Sequence, residues 1–164
     1  MATQEIVLPA LLRAARGAYG NAVRRELAAT GFDDLPRNGP YVLGGMANRG
    51  GSLSDLVRQL GVSKQSASQL IDILVLRGYL ERHVSPDDRR RMEVVLTDRG
   101  RAAANAVRVA VDSVDEELAR RLSPTELAGL AAGLIALTEI REQGEHENQA
   151  VTRDSLASDE ATQT

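Results

Sequence analysis

The chain has 164 residues and a formal net charge of −3 at pH 7, with 43% hydrophobic and 26% charged residues. This length suits a single domain with a sizeable core. There is no cysteine, which excludes disulfides and thiol redox chemistry. No apolar run approaches the roughly 20 residues of a membrane-spanning helix, and the N-terminus lacks a signal-peptide pattern. These features predict a cytoplasmic protein without a membrane partner.

The first predicted helix spans about residues 6–30, because its apolar side chains recur on one face at helical spacing. Pro9 is compatible only with the first turn of a helix, and Gly31 favours its end. The apolar seam of this helix must pack on another helix or on another chain. A second helix is predicted over about 36–49, with uncertain bounds because Pro40 lies near its start.

Residues 52–76 predict two helices that meet at a tight turn. The first opens with a Ser-x-x-Asp capping pattern, and Ser63 can cap the second. An apolar stripe of Ala67, Leu70, Ile71 and Leu74 occupies one side of the second helix. In a helix-turn-helix, base edges are met mostly by the N-terminal residues of the second helix. The predicted DNA-reading residues are therefore Ser63, Lys64, Gln65, Ser66, Ser68 and Gln69.

Two strand-forming runs follow, over residues 79–85 and 91–97, with strong turn chemistry between them. The turn carries three consecutive arginines. Taken alone, such a cluster could equally be a solvated turn; its position directly after a recognition-type helix favours contact with the DNA backbone or minor groove. The predicted contact residues at this hairpin tip are Arg89, Arg90 and Arg91.

Charge is segregated along the chain, so a local basic patch would meet phosphate despite the negative net charge. Arginines cluster between positions 82 and 101, whereas acidic residues dominate the tail. Between them, two more helices are predicted, over about 98–122 and about 124–141, the second beginning at a Ser-Pro-Thr-Glu capping sequence. Residues 142–164 have no apolar period and are predicted to be disordered.

The chain resembles the MarR family of winged-helix transcriptional regulators. The resemblance rests on the segment VSKQSASQLIDILVLRGYLER, on the wing motif Asp88-Arg89-Arg90 and on the Leu-Thr-Asp-Arg-Gly exit over 96–100. It covers roughly residues 6–141 as a single domain. It implies a mostly α fold with a small β wing (α+β), in which a winged helix-turn-helix lobe over about 36–100 joins dimerisation helices over about 6–30 and 101–141.

The resemblance also implies roles for particular residues. Asp88 is expected to brace Arg90 through a salt bridge, and Arg90 is expected to enter the minor groove. The chain departs from the family at Gln69 and Ile73, where many members carry arginine. Two phosphate or base contacts are therefore missing, which bears on the sequence preference of this protein.

Members of this family often bind small aromatic or phenolic anions where the dimer helices meet the winged lobe. The resemblance therefore implies an effector of this class, of unknown identity. The residues that could line an apolar bowl with one cation are Arg16, Tyr19, Phe32, Tyr41 and Met46. The tyrosines could equally be ordinary core residues.

The function predicted is a homodimeric, sequence-specific regulator that binds double-stranded DNA, a ligand-responsive repressor at a pseudo-palindromic operator. The alternative is a winged-helix dimer that senses ligands or binds proteins with little DNA binding, as the negative net charge would suit. His83 and His146 are the only histidines, and no metal-ligand spacing, nucleophile elbow or phosphate-binding glycine loop is present. The sequence thus predicts no enzyme, no metal and no cofactor.

Overall fold

The structure is a computed structural model that describes residues 7–49, 61–85 and 92–162. Its described helices and strands, in chain order, are α1 (Leu8–Ala29), α2 (Gly39–Arg49), α3 (Lys64–Leu76), β1 (Leu80–Val84), β2 (Met92–Leu96), α4 (Asp98–Arg121) and α5 (Pro124–Thr162). The predicted mostly α fold with a small two-stranded wing is confirmed. The helix predicted before Gly61, with its capping pattern, and the wing tip over 86–91 lie outside the described residues.

Local sequence accounts for the ends of the first helices. Proline occupies the first turn of α1, as predicted, and Gly31 follows its C-cap in the left-handed region, with φ of 81°. The second helix begins at Gly39, later than the predicted residue 36. The Gly39 amide donates a hydrogen bond to the Pro36 carbonyl at 2.8 Å, so a tight turn occupies the residues where the helix was expected to begin.

The wing is an antiparallel pair in which Leu80 lies opposite Leu96 and Val84 lies opposite Met92. Leu80 is buried, whereas Val84 and Met92 are exposed. The wing is therefore anchored in the core at the Leu80–Leu96 end, while the side chains of Val84 and Met92 at its other end are exposed.

The core lies where α2, α3, β1 and the first half of α4 meet. Large side chains from three of these elements fill it, and alanines on α4 allow the helices to approach closely. Burying a leucine or valine contributes about 1.5–3 kcal/mol each, so these contacts hold the recognition helix to the rest of the lobe. The cluster comprises Leu27, Val42, Leu43, Leu70, Ile71, Leu74, Tyr79, Leu80, Ala103, Ala104, Ala106 and Val107.

The last helix is longer than predicted, because α5 continues to Thr162 through the segment expected to be disordered. No glycine or proline interrupts residues 145–162, and alanine, glutamate and glutamine favour helix. A missing apolar period excludes a buried face but not a helical backbone. The chain divides into two compact units, residues 1–116 and 117–164, and a single domain over 6–141 stays a prediction. Among the described residues, no helix has the length and apolar character needed to span a bilayer.

Candidate nucleic-acid interface

The N-terminus of α3 is held by the predicted serine cap. Ser63 is extended, with φ of −62° and ψ of 155°. Its hydroxyl oxygen accepts a hydrogen bond from the Ser66 amide at 3.2 Å and donates to the Ser66 hydroxyl at 2.9 Å. A cap of this kind satisfies an otherwise unpaired amide and contributes about 1 kcal/mol. The first turn of the helix is therefore fixed.

The two sides of α3 differ sharply in burial. The predicted apolar stripe is buried, and Leu74 is fully inaccessible to solvent. On the opposite side lies the surface that we call the reading face, whose residues are all exposed: Lys64, Gln65, Ser66, Ser68, Gln69 and Asp72. The helix thus presents polar donors and acceptors outward while its other side is packed in the core.

A rigid turn joins α3 to the wing. The Gly78 amide donates to the Val75 carbonyl, and the Tyr79 amide donates to the Leu74 carbonyl, each at 2.9 Å. Gly78 has φ of 71°, which a glycine adopts without steric cost, and the pair of bonds is a Schellman motif. The strand β1 therefore leaves the recognition helix in a defined direction.

A polar cluster braces this junction from the side. The Tyr79 hydroxyl donates to the Asp34 carboxylate, and Arg99 donates to the same carboxylate at 3.1 Å and to the Tyr79 oxygen at 3.1 Å. The Arg99 guanidinium also lies 4.4 Å from the centre of the Tyr79 ring, a cation–π contact. Phe32 meets that ring edge-on at 6.2 Å between centroids. The loop after α1 and the start of α4 are thereby tied to the end of the recognition helix.

This bracing shifts two acid–base equilibria. The hydrogen bond from Tyr79 and the charges of Arg99 and Arg77 lower the pKa of Asp34 below its ordinary value of 3.8. Burial, followed by the hydrogen bond to Asp34, raises the pKa of Tyr79 above 10.0. Asp34 is therefore ionised and Tyr79 protonated at neutral pH, which is the state that the hydrogen bond requires.

Replacing Asp34 with asparagine should remove a pH-dependent part of the stability. Because the folded-state pKa of Asp34 is lowered, its carboxylate stabilises the fold above pH 3.8, and this contribution is lost as the pH falls through the folded-state value. We expect wild type to be the more stable protein at pH 7 and the difference to shrink below about pH 4. Urea unfolding at a series of pH values measures it. A difference that stays constant from pH 7 to pH 3 would contradict the assignment.

The described part of the wing carries its own polar contacts. Arg82 on β1 forms an ion pair with Asp72 of α3, with 2.5 Å between Nη2 and Oδ1. At the outer end, the buried Ser85 donates to the Glu93 carboxylate at 2.6 Å. The predicted tip residues Asp88, Arg89, Arg90 and Arg91 lie outside the described residues.

A cleft of about 800 Å³ lies within the first unit. Four of the five residues predicted to line an effector site lie along this cleft: Arg16, Tyr19, Phe32 and Tyr41. Met46 does not line it; its side chain is partly buried against the core. Five positions separate Met46 from Tyr41 along α2, which is about 140° around a helix of 3.6 residues per turn, so the two side chains leave on different sides.

The cleft is more cationic than predicted. Arg24 and Arg37 line it in addition to Arg16, against the one carboxylate of Asp33. Arg24 could have been found from the sequence, since it lies on α1 eight positions after Arg16 and thus near the same face. Arg37 follows α1 in an irregular loop, where no periodicity applies.

Tyr19 offers this cleft a polar group of defined state. Its hydroxyl donates to Asp115 of α4 at 2.5 Å. This hydrogen bond, together with partial burial, raises the pKa of Tyr19 to about 12. Tyr19 therefore stays protonated throughout the physiological range. Within the described residues, no group of histidine, aspartate and glutamate side chains could hold a metal ion.

Comparisons with known proteins agree with this architecture. Residues 33–91 match the model of the MarR family. The chain is 27% identical over 100 residues to the HTH-type transcriptional regulator BilQ of Clostridioides difficile (strain CD3), and the match spans 61% of this chain and 68% of BilQ.

Two solved structures share the fold. One is a complex of S. aureus MepR with DNA, in which the MepR chain is 21% identical to this chain. The TM-score is 0.65, and the alignment covers 82% of this chain and 98% of the MepR chain. The other is CouR from Rhodococcus jostii RHA1 bound to p-coumaroyl-CoA, which is also 21% identical to this chain. The TM-score is 0.64, and the alignment covers 82% of this chain and 93% of the CouR chain. Residues 33–91, which include the recognition helix, thus match the MarR family of transcriptional regulators, and the similarity to BilQ and the shared fold agree with this match.

Proposed function

We propose that the protein is a ligand-responsive transcriptional repressor that acts in the cytoplasm as a homodimer on a pseudo-palindromic DNA site. The observation that carries this proposal is the reading face. Six polar side chains stand exposed on a helix whose other side is buried, and a rigid turn leads from that helix into the wing. Amides, hydroxyls and an ammonium group are the donors and acceptors that match base edges and phosphates in the major groove.

In the proposed complex, the two recognition helices of the dimer enter successive major grooves about 34 Å apart. Lys64, Gln65, Ser66, Ser68 and Gln69 contact bases or phosphates, and Ser63 fixes the helix end. Arg90, braced by Asp88, enters the minor groove, while Arg89 and Arg91 contact the backbone. The net charge of −3 does not oppose this arrangement, because the contacts are local and phosphate binding depends on the charges that face the DNA.

Exposed apolar side chains support the homodimer. On α1 they include Leu8 and Leu11, which are 55% and 57% exposed, and on α5 they include Leu130, Leu134 and Leu137, each 42–43% exposed. Aliphatic side chains that recur at helical spacing on a solvent-exposed face are typical of surfaces that another chain covers. We propose that both helices take part in the dimer interface.

The double substitution Leu130→Glu with Leu137→Glu should convert the dimer to monomers, because it places two charges in the apolar stripe of α5. The matched control is Ala132→Glu with Ala136→Glu, which adds the same charge on the opposite side of the helix. Light scattering after size-exclusion chromatography measures the mass. If both double variants have the mass of the wild type, α5 is not part of an interface.

The cleft supports the ligand response. Its volume exceeds that of a simple phenolic acid, its lining is largely apolar, and three guanidinium groups favour an anionic ligand. The related CouR structure contains p-coumaroyl-CoA, which combines an aromatic part with several negative charges. We propose an aromatic anion as the effector class.

Phe32 lines the cleft and also contacts Tyr79 at the end of the recognition helix. A ligand that moves Phe32 would therefore act on the position of that helix. An effector needs only to bind two arrangements of the lobe with different affinity. A coupling of about 1–3 kcal/mol would weaken DNA binding about 5- to 150-fold.

The experiment that tests the proposal is selection from a library of random duplexes at two salt concentrations. We expect enrichment of a pseudo-palindrome and binding that weakens steeply with salt, because phosphate contacts release counterions. A reporter gene placed behind the enriched site then distinguishes repression from activation. If no sequence is enriched and binding is weak at low salt, the DNA-binding proposal fails.

A second candidate function is a winged-helix module that binds another protein. Leu76 at the end of α3 is 85% exposed and Ile73 is 36% exposed, and the arginines common in the family are absent at positions 69 and 73. Such a module would keep its fold and its dimer but give no enriched duplex. Salt dependence separates the two functions, since an apolar interface lacks the steep salt slope of phosphate contacts.

A further inference from the structure

The ion pair between Asp72 and Arg82 joins the recognition helix to the wing. It links Oδ1 of the carboxylate to Nη2 of the guanidinium at 2.5 Å. The two residues are ten positions apart, on α3 and β1. Both side chains are substantially exposed, at 57% for Asp72 and 43% for Arg82. Exposed pairs add little to folding stability, so stability gives no strong reason for this one.

Asp72 lies in the middle of the reading face. Gln65, Gln69 and Asp72 follow one another at intervals of four and three residues, which places them on one side of the helix, and all three are exposed. Any duplex that meets the two glutamines therefore also meets the Asp72 carboxylate and the guanidinium bonded to it.

Electrostatics assigns different tasks to the two groups. An unpaired carboxylate on this surface would repel phosphate, and pairing with Arg82 offsets that repulsion. A guanidinium has five N–H donors in a planar fork, and the recorded bond to Asp72 uses one nitrogen, Nη2. Donors thus remain for a second acceptor, and the orientation of the fork is set by the first.

We propose that Arg82 is a DNA-contacting residue and that Asp72 is its positioning residue. Asp72 holds the guanidinium at the edge of the reading face, so that its remaining donors bind a backbone phosphate between the major-groove helix and the wing. The inference rests on the proposed DNA-binding function and adds a contact that depends on both elements. Because the arginine is held in register with Gln65 and Gln69, it favours the phosphate position that a correct site presents.

The test is equilibrium binding to the duplex enriched from the random library and to an unrelated duplex, at 50 and 200 mM salt. Arg82→Ala should weaken binding to both duplexes. Each phosphate contact contributes about 0.9 to the slope of log K against log salt concentration, and a dimer has two such contacts. The factor by which affinity falls between 50 and 200 mM salt should therefore be roughly tenfold smaller than in wild type. Arg82→Lys should restore the salt slope. Arg108→Ala is the matched control, because Arg108 is also exposed and paired, with Asp112 at 3.1 Å, but lies on α4. It should leave the salt slope unchanged.

Asp72→Asn separates positioning from simple charge removal. If Asp72 positions Arg82, this variant should bind unrelated DNA more tightly but lose preference for the enriched duplex, by about tenfold, and this loss should vanish in an Arg82→Ala background. If Asp72 only repels phosphate, affinity for both duplexes rises equally in either background, and the positioning role is wrong. Arg82→Ala with an unchanged salt slope overturns the contact itself. Failure of wild type to enrich any duplex is a separate result, because it rejects the proposed function and not this pair alone.

Discussion

Replacing Gly100 with alanine is expected to lower the free energy of unfolding by about 3 kcal/mol or more, the upper end of the range for overpacked cores. An added Cβ at this position would lie 2.0 Å from the carbonyl oxygen of Tyr79 and 3.1 Å from a methyl carbon of Leu96. The first neighbour is backbone, which cannot rotate away as a side chain can. Relief requires α4 to move from the turn that joins the recognition helix to the wing.

Thr97 forms hydrogen bonds to the same turn, and these bonds add to the destabilisation expected from Gly100→Ala. The Thr97 amide donates to the Tyr79 carbonyl at 3.1 Å, and its hydroxyl donates to the Gly78 carbonyl at 2.6 Å. The threonine oxygen also accepts from the Gly100 amide at 3.0 Å, as a helix cap does. A displacement of α4 therefore strains these three bonds together.

Chemical unfolding monitored by circular dichroism measures the change. Gly144→Ala is the matched control, because no described atom lies within 4 Å of its added methyl group and alanine favours a helix by about 1 kcal/mol. We expect the control to match or slightly exceed wild type. Equal stability of Gly100→Ala and wild type would contradict the close approach of α4 to the turn.

Replacing Arg90 with alanine is expected to weaken DNA binding about 100-fold. Each dimer would lose two minor-groove contacts, and a contact of this strength contributes about 1–3 kcal/mol, with 1.4 kcal/mol equal to a factor of ten. Although Arg90 lies outside the described residues, the strands that lead to it are paired up to Val84 and Met92. The Ser85–Glu93 hydrogen bond adds a further tie at this end of the wing.

Gln65→Ala provides the contrast, because a base contact affects preference more than overall affinity. We expect Arg90→Ala to weaken binding to all duplexes and to flatten the salt dependence, whereas Gln65→Ala should change the ranking of sites and keep the salt slope. Fluorescence anisotropy with the enriched and unrelated duplexes distinguishes these outcomes. If both variants bind as tightly as wild type at physiological salt, the assigned reading surface is wrong.

The cap and the buried side of the recognition helix were predictable from residues that are close together in the sequence. Ser63 was predicted as its cap and is its cap, and the stripe from Ala67 to Leu74 is buried as its spacing predicted. Such features depend on residues three or four apart, whose interaction is set by helix geometry alone. The prediction that α5 ends near residue 141 is wrong, because the helix continues to Thr162. A periodic apolar pattern indicates which side chains are buried and does not by itself determine the backbone conformation.

Most of the residues predicted to surround an effector line one cleft, and their role in binding an effector stays a prediction. Arg16, Tyr19, Phe32 and Tyr41 come together, as the family resemblance implied, but Met46 turns towards the core. Its direction depends on the angle at which α2 packs against the core, which the sequence of that helix alone does not specify. Of the additional cations, Arg24 lies on α1 about two turns after Arg16 and was within reach of the sequence pattern, whereas Arg37 lies in a loop and was placed at the cleft only by the fold.

By itself, the sequence determined the order of the elements, the cap and the two sides of the recognition helix, and the strands of the wing, because each depends on a few neighbouring residues. Only the tertiary structure decided which distant side chains meet. Asp34, Tyr79 and Arg99 form one cluster although up to 65 positions separate them, and Asp72 meets Arg82 through the turn at Gly78. Gly100 shows the same division: its sequence position predicts nothing unusual, whereas packing leaves no room there for a single methyl group.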